Sequence, residues 1–353
     1  MNDIKNIILK TAEKYPLMVA QDFIKLMYQN EFGCGHFISD EKLSLDRIKK
    51  EILSKDNQDE IFENIGGGYT RLMLSKNNEK IISSEMTNKM FLMSCDNLGN
   101  LNSFKEKLNL FWELCLNRKI KIDIEETKKY LKEYQKQGFP MVSHSQQYRD
   151  AYSPAYRVVK NYFSIYLEVI LKLEKLLEEK KRVVIAIDGR CSSGKSTLSK
   201  ILAEFFDGEI VSADDFFLPF ERKTKERMAE CGGNVDYERL KTEVIDNLKS
   251  EYGFSYGVFS CKTGKIDKSK EILPKKLIIV EGSYSCHDYF GQPYDLKVFL
   301  TVNEKIQRER ILNRNGEKML YMFENAWIPM EENYFKGQKI KEKCDIIINT
   351  DEL

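Results

Sequence analysis

The chain has 353 residues, which at roughly 150 residues per domain points to about two domains. Its 56 Lys and Arg balance 55 Asp and Glu to leave a net charge of +1, so no overall field draws it to nucleic acid. With 20 Phe and 18 Tyr against seven Pro, it is no disordered chain.

Apolar runs such as Val183–Ile187 are far too short to span a bilayer, and Met1-Asn2-Asp3-Ile4-Lys5 opens no basic-then-apolar leader. The eight cysteines are scattered without a C-x-x-C pair, which predicts free thiols in a reducing cytoplasm.

The first 158 residues read as a mainly helical domain. Helical spacing predicts segments over 4–14, 19–29, 45–53, 83–93, 104–117 and 125–137, with Asp123 as an N-terminal cap. Two glycine clusters interrupt them, Gly33-Cys34-Gly35-His36 as a turn and Gly66-Gly67-Gly68 as irregular chain. His144 to Arg149 and Tyr152-Ser153-Pro154-Ala155-Tyr156-Arg157 are dense in aromatic and hydrogen-bonding groups. Tyr beside Arg suits a phosphate or a polar ring, or plain packing between domains. A bridging helix follows, amphipathic over 161–179, and a charged connector ends near residue 180.

From 181 to 353 the rhythm changes to short β-branched runs followed by charged helices, the pattern of an α/β unit with a mostly parallel sheet flanked by helices. Val183–Asp188 is a buried-strand pattern. It runs into Gly189-Arg190-Cys191-Ser192-Ser193-Gly194-Lys195-Ser196-Thr197 and then into a helix, matching G-x-x-x-x-G-K-[ST] in its required context. The glycines let successive N–H groups wrap a phosphate at the helix N-terminus. Lys195 can reach the terminal phosphates, and the Ser196 hydroxyl can ligate Mg²⁺. Cys191 reads as a small side chain that fits the loop.

Four further strands supply the rest. Glu209–Ser212 ends in Asp214 and Asp215, where a carboxylate can take the proton of an attacking hydroxyl and help hold a metal. Lys276–Val280 ends in Glu281, the place of a Walker B carboxylate. Leu296–Val302 precedes a helix over 304–315 bearing Arg308, Arg310 and Arg314, and arginines on such a lid can clamp a phosphoryl group. Cys344–Asn349 closes the sheet. Without an Asn-Lys-x-Asp guanine reader, and with Glu281-Gly282 where a GTPase carries Asp-x-x-Gly, a GTPase is disfavoured.

This half resembles the phosphoribulokinase/uridine kinase family of P-loop kinases. The matching pieces are 189–197, Ser212-Ala213-Asp214-Asp215-Phe216-Phe217, Gly233-Asn234-Val235-Asp236-Tyr237, Val280-Glu281-Gly282 and the arginine-bearing helix. The resemblance implies ATP and Mg²⁺ as cofactors and transfer of the γ-phosphate to a hydroxyl of a small polar acceptor. It implies Asp214 as general base, Lys195 and Ser196 on phosphate and metal, Glu281 supporting the metal, and Asp236, Tyr237 and Tyr284 on the acceptor side. The uridine kinases' aromatic and histidine base-binding residues have no match here, so the acceptor stays open. Two other functions stay open as well, a kinase acting on an RNA or tRNA nucleoside and a nucleotide-binding regulatory module without turnover. The sequence does not decide the oligomeric state, a homodimer being one possibility.

Overall fold

The computed structural model describes residues 2–34, 40–55, 60–95 and 99–353, and the chain divides into two compact units, Met1–Ser164 and Ile165–Leu353. Among the described residues no helix is long and apolar enough to cross a membrane.

The first unit is mainly helical, as its spacing predicts. Its longer helices are Asn2–Lys14, Ala20–Phe32, Glu41–Leu53, Ser84–Leu92, Leu101–Leu116 and Ile124–Lys136. Several begin at a side-chain cap that takes up an orphan amide. Asp40 accepts from Leu43 N–H, Asn100 from Asn102 and Ser103 N–H, and Asp123 from Glu126 N–H. Phe23, Phe104, Phe111 and Tyr134 form the centre of its core.

One prediction fails here. Gly66-Gly67-Gly68 is a hairpin turn rather than irregular chain, joining β1 (Phe62–Gly66) to β2 (Tyr69–Met73), and β3 (Tyr156–Lys160) completes an antiparallel sheet in the order β1-β2-β3. Gly67 and Gly68 both take positive φ, 64° and 80°, the conformation that a two-residue hairpin turn requires. At Gly67 a side chain is also excluded by space, because a Cβ would meet the Asn30 carbonyl oxygen at 1.8 Å. His36 lies outside the described residues.

The predicted helix over 161–179 is interrupted at Tyr166. A single turn, Tyr162–Ile165, precedes the longer helix Leu167–Glu179, which belongs to the second unit.

The second unit is an α/β layer. Five parallel strands run in the order β10-β9-β4-β8-β5, where β4 is Val183–Gly189, β5 Gly208–Ser212, β8 Leu277–Glu281, β9 Leu296–Thr301 and β10 Ile346–Asn349. β4 and β8 are buried throughout, which explains their uninterrupted apolar runs. A separate antiparallel hairpin pairs β6 (Phe254–Ser260) with β7 (Lys265–Ile272). The chain leaves β4 at the centre of the sheet and crosses to β5 at one edge, with β9 and β10 added later on the other side. The carboxyl end of β4 is thus a topological switch point, where open α/β sheets bind ligands.

Candidate active site

Gly189 ends β4 opposite Leu300 of β9, with φ at 132° and so little room that a Cβ would stand 2.1 Å from the Leu300 carbonyl oxygen. The loop turns through Ser192 (φ 57°) and Gly194 (φ 95°) into the helix Lys195–Phe206. The Lys195 ammonium folds back on the loop and donates to the carbonyls of Gly189 at 2.7 Å and Arg190 at 3.0 Å. Its charge therefore stands over the ring of backbone that the motif forms.

Strand register sets the second part. Ser212 of β5 and Ile187 of β4 both pair with Glu281 of β8. The Glu281 carboxylate accepts from the Ser212 hydroxyl and from the Ser196 hydroxyl, each at 3.1 Å. Burial and the neighbouring Asp214 charge raise its pKa. Ser196 and Glu281 together offer oxygen donors alone, which suits a hard cation such as Mg²⁺. Among the described residues no group of three or more His, Cys, Asp or Glu side chains could hold a metal ion.

Asp214 lies in a short 3-10 turn, Ala213–Phe216, at the end of β5. Its side chain is exposed at the mouth of a cavity. Partial loss of solvent there is the largest influence on its carboxyl and raises its pKa, Lys195 and Arg314 pull it down, and Asp215 adds to the rise. Asp215 itself accepts from the Tyr256 hydroxyl at 2.8 Å and faces β6.

The cavity, about 420 Å³, holds most of the residues that the sequence singles out: Cys191, Ser192, Gly194, Lys195, Ser196, Thr197, Asp214, Glu281, Tyr284 and Arg314. Ser193 is buried beneath the loop.

Three expected residues stand elsewhere. Arg310 donates to the carbonyls of Thr350 at 2.6 Å, Leu353 at 3.1 Å and Ser192 at 3.4 Å, which ties the C-terminal segment to the loop from outside the cavity. Asp236 caps the helix Tyr237–Glu243 and pairs with Arg222 at 2.5 Å. Tyr237 stacks on His287 at 4.6 Å between centroids, under the Arg227 guanidinium. A shared helix face does not make two arginines share a cavity. Arg310 meets the chain end, while Arg314, one turn on, reaches the open side.

Other residues of the cavity come from stretches in which the sequence assigns no individual site residue. The helix of 304–315 continues to Met322, with a kink at Gly316 (φ 76°), and leads through Phe323–Trp327 into the helix Ile328–Gly337. From that last helix Glu331 reaches the phosphate loop. It accepts from Cys191 N–H at 2.9 Å and from the Ser283 hydroxyl at 2.6 Å. Next to it, Glu332 pairs with Arg190 at 2.9 Å. The signal for Glu331 was faint, two adjacent carboxylates after a proline, with no spacing to tie them to residue 191. Phe217, Asn234 and Trp327 complete the cavity wall. Cys191 packs with Ile311 and Leu320 beneath the arginine-bearing helix, and burial pushes its thiol up to about 12.

Comparison with known proteins agrees on half of the molecule. No family model matches the chain. A phosphoribulokinase from Synechocystis is 25% identical over 177 residues, which cover 47% of this chain and 53% of that protein. This chain thus spans only about half the length of that relative. A uridine kinase from Ligilactobacillus salivarius is 24% identical over 192 residues, covering 48% of this chain and 86% of that one. Among solved structures, one described as a possible uridine kinase from Bacillus stearothermophilus aligns at a TM-score of 0.38 and 17% identity, covering 51% of this chain and 98% of that one. Over roughly half its length the protein has a P-loop kinase-superfamily fold, similar to uridine kinases and phosphoribulokinases.

Proposed function

We propose that the second unit is an ATP-dependent phosphotransferase that moves the γ-phosphate to a hydroxyl of a small polar acceptor. The observation that carries this reading is the Asp214 carboxyl, which lines one cavity with Lys195 and the Ser196–Glu281 pair. A nucleotide-binding switch needs the loop and a metal ligand. It has no use for an additional carboxylate open to that cavity and within electrostatic reach of the loop lysine.

Each group has a task in an in-line transfer. Loop amides and Lys195 hold the phosphates and offset their charge. Ser196 and Glu281 would hold Mg²⁺, which when bound withdraws charge from phosphate oxygens. Asp214 accepts the proton of the acceptor hydroxyl, and its raised pKa makes it a stronger base than an ordinary aspartate. Arg314 stands at the same cavity and can balance charge that develops on the transferred group. Phe217, Tyr284 and Trp327 give the wall aromatic surface, which favours an acceptor with a flat or partly apolar face and excludes water that would otherwise compete.

The test is ADP release from Mg-ATP by the purified chain against a panel of nucleosides, pantothenate, glycerate and sugar phosphates, with the phosphorylated product identified by mass spectrometry. One acceptor is expected to raise ADP release well above the background with water and to appear as a stoichiometric phosphate ester. Tight ATP binding with no stimulation by any acceptor would contradict the reading and favour a nucleotide switch.

A further inference from the structure

The first unit holds a cavity of about 550 Å³ that the phosphotransfer reading does not use. That volume is within the range of sites for small organic ligands. It gathers segments far apart in sequence, chiefly the helix Ala20–Phe32, the helix Glu41–Leu53 with its cap Asp40, and Pro154 to Val158 leading into β3. His144, Pro154, Tyr156 and Arg157, from the two stretches dense in Tyr and Arg, all line it.

The charges around it do not cancel. Three cations, Lys25, Arg47 and Arg157, face two carboxylates, Asp40 and Glu51. Both carboxylates already have partners. Glu51 takes a two-pronged bond from Arg157 at 2.9 and 2.8 Å, and Asp40 accepts the Leu43 amide as a helix cap.

Lys25 is left over. Among the described residues its one hydrogen bond is to the Val142 carbonyl at 3.3 Å, and no carboxylate lies within 4 Å of its ammonium. The nearby Asp22 is saturated, accepting from His144, from Val19 N–H and from both Ser145 N–H and Oγ–H. Burial together with repulsion from Arg71 and Arg149 brings Lys25 down to about 8. A lysine with a free stem would normally carry its charge out to water. This one is turned inward, where an uncompensated cation is costly unless something pairs with it.

The rest of the wall is fixed before any ligand arrives. The ionised Asp22 accepts a hydrogen bond from His144 Nδ1–H, so Nε2 accepts from the Tyr156 hydroxyl at 2.6 Å. Gln29 donates to the same hydroxyl at 3.2 Å, and its carbonyl accepts two bonds from the buried Arg71. With these groups committed to one another, they hold their positions and leave Arg47 and Lys25 as the cations with capacity to spare, Arg47 exposed and Lys25 half-buried. Tyr28, Phe91 and Met141 provide flat and apolar surface around it.

The geometry points to a binding site for a small organic anion, a carboxylate or a phosphate monoester joined to a ring, with Lys25 as its charge partner. The surplus of positive charge argues against a metal cation, and the small volume, about 550 Å³, argues against a nucleic-acid strand.

Isothermal titration calorimetry on the full chain tests this with phenyl phosphate, benzoate and the neutral benzyl alcohol. At least one of the two anions is expected to bind with one equivalent per chain and to weaken at least about tenfold in Lys25→Gln, a typical loss for one charged contact, while Lys25→Arg retains binding. Any affinity for benzyl alcohol is expected to be the same in all three proteins. Stronger binding of phenyl phosphate assigns a phosphate ester, and stronger binding of benzoate assigns a carboxylate. Phenyl phosphate held by the phosphate loop would be indifferent to Lys25→Gln. Unchanged anion affinity in that variant, no anion binding by the native chain, or loss of binding in a folded Lys25→Arg variant would overturn the proposal.

Discussion

The two cavities are built in opposite ways. In the second unit, one nine-residue loop, 189–197, supplies six of the residues that line the cavity, and strand ends add single carboxylates to it. In the first unit, the cavity draws its residues from several segments spread between Lys25 and Val158, and Gln29, His144, Tyr156, Glu51 and Arg157 are paired among themselves. A site made by backbone amides needs a local turn, so a short motif can encode it. A site made by side chains needs the whole fold, and no short motif records it.

That contrast explains what was legible. The phosphate loop, the strand-end carboxylates Asp214 and Glu281, and the parallel sheet could be read because periodicity and local spacing determine them. The contacts of Arg310 with Thr350 and Leu353 could not be read, because they join residues about forty apart that no local spacing relates. Glu331 escaped notice because its contact with Cys191 spans 140 residues. The three-stranded sheet was hidden because β2, buried throughout, includes Arg71, a residue that pattern reading sends to the surface.

The largest effect that would sharpen the comparison concerns that arginine. Arg71 is 1% exposed, donates to Glu63 at 2.9 Å and to Gln29 twice, and lies 4.6 Å from the Tyr156 ring. Arg71→Met is expected to cost the first unit roughly 3–5 kcal/mol, the range for breaking a buried ion pair. The two tryptophans, Trp112 and Trp327, fall one in each unit. With Trp327→Phe as background, Trp112 fluorescence in a urea titration reads the first unit. A loss below about 1 kcal/mol would show that the polar network is not what holds it.

The next effect is set by pH. Burial holds His144 down at about 4, with Asp22 opposing and Arg71 and Lys25 reinforcing the depression. Its folded-state pKa is below the ordinary 6.5, so the unfolded chain binds that proton more readily. The contribution is complete above pH 6.5 and is lost as pH falls from 6.5 towards 4, by at most about 3 kcal/mol. Thermal melts between pH 7 and 4.5 are expected to fall more steeply for the native chain than for His144→Gln. Parallel curves would remove His144 as the cause.

The smallest effect is an expected absence. Cys191, though inside the phosphate loop, has its thiol held near 12, whereas Cys261 at the same cavity is exposed. Iodoacetamide at pH 7.5 followed by peptide mass spectrometry is expected to label Cys261 and leave Cys191 untouched. Prompt labelling of Cys191 would give the loop a reactive thiol that its burial does not allow.

The most direct test of the central claim is Asp214→Asn, assayed for acceptor-dependent ADP release beside Mg-ATP binding read from Trp327 in a Trp112→Phe background. The expected result is intact nucleotide binding with turnover lowered by about 10²–10⁴, the usual worth of a positioned base. Turnover that persists undiminished in Asp214→Asn would contradict the assignment of this carboxylate and, with it, the distinction drawn between a phosphotransferase and a nucleotide switch.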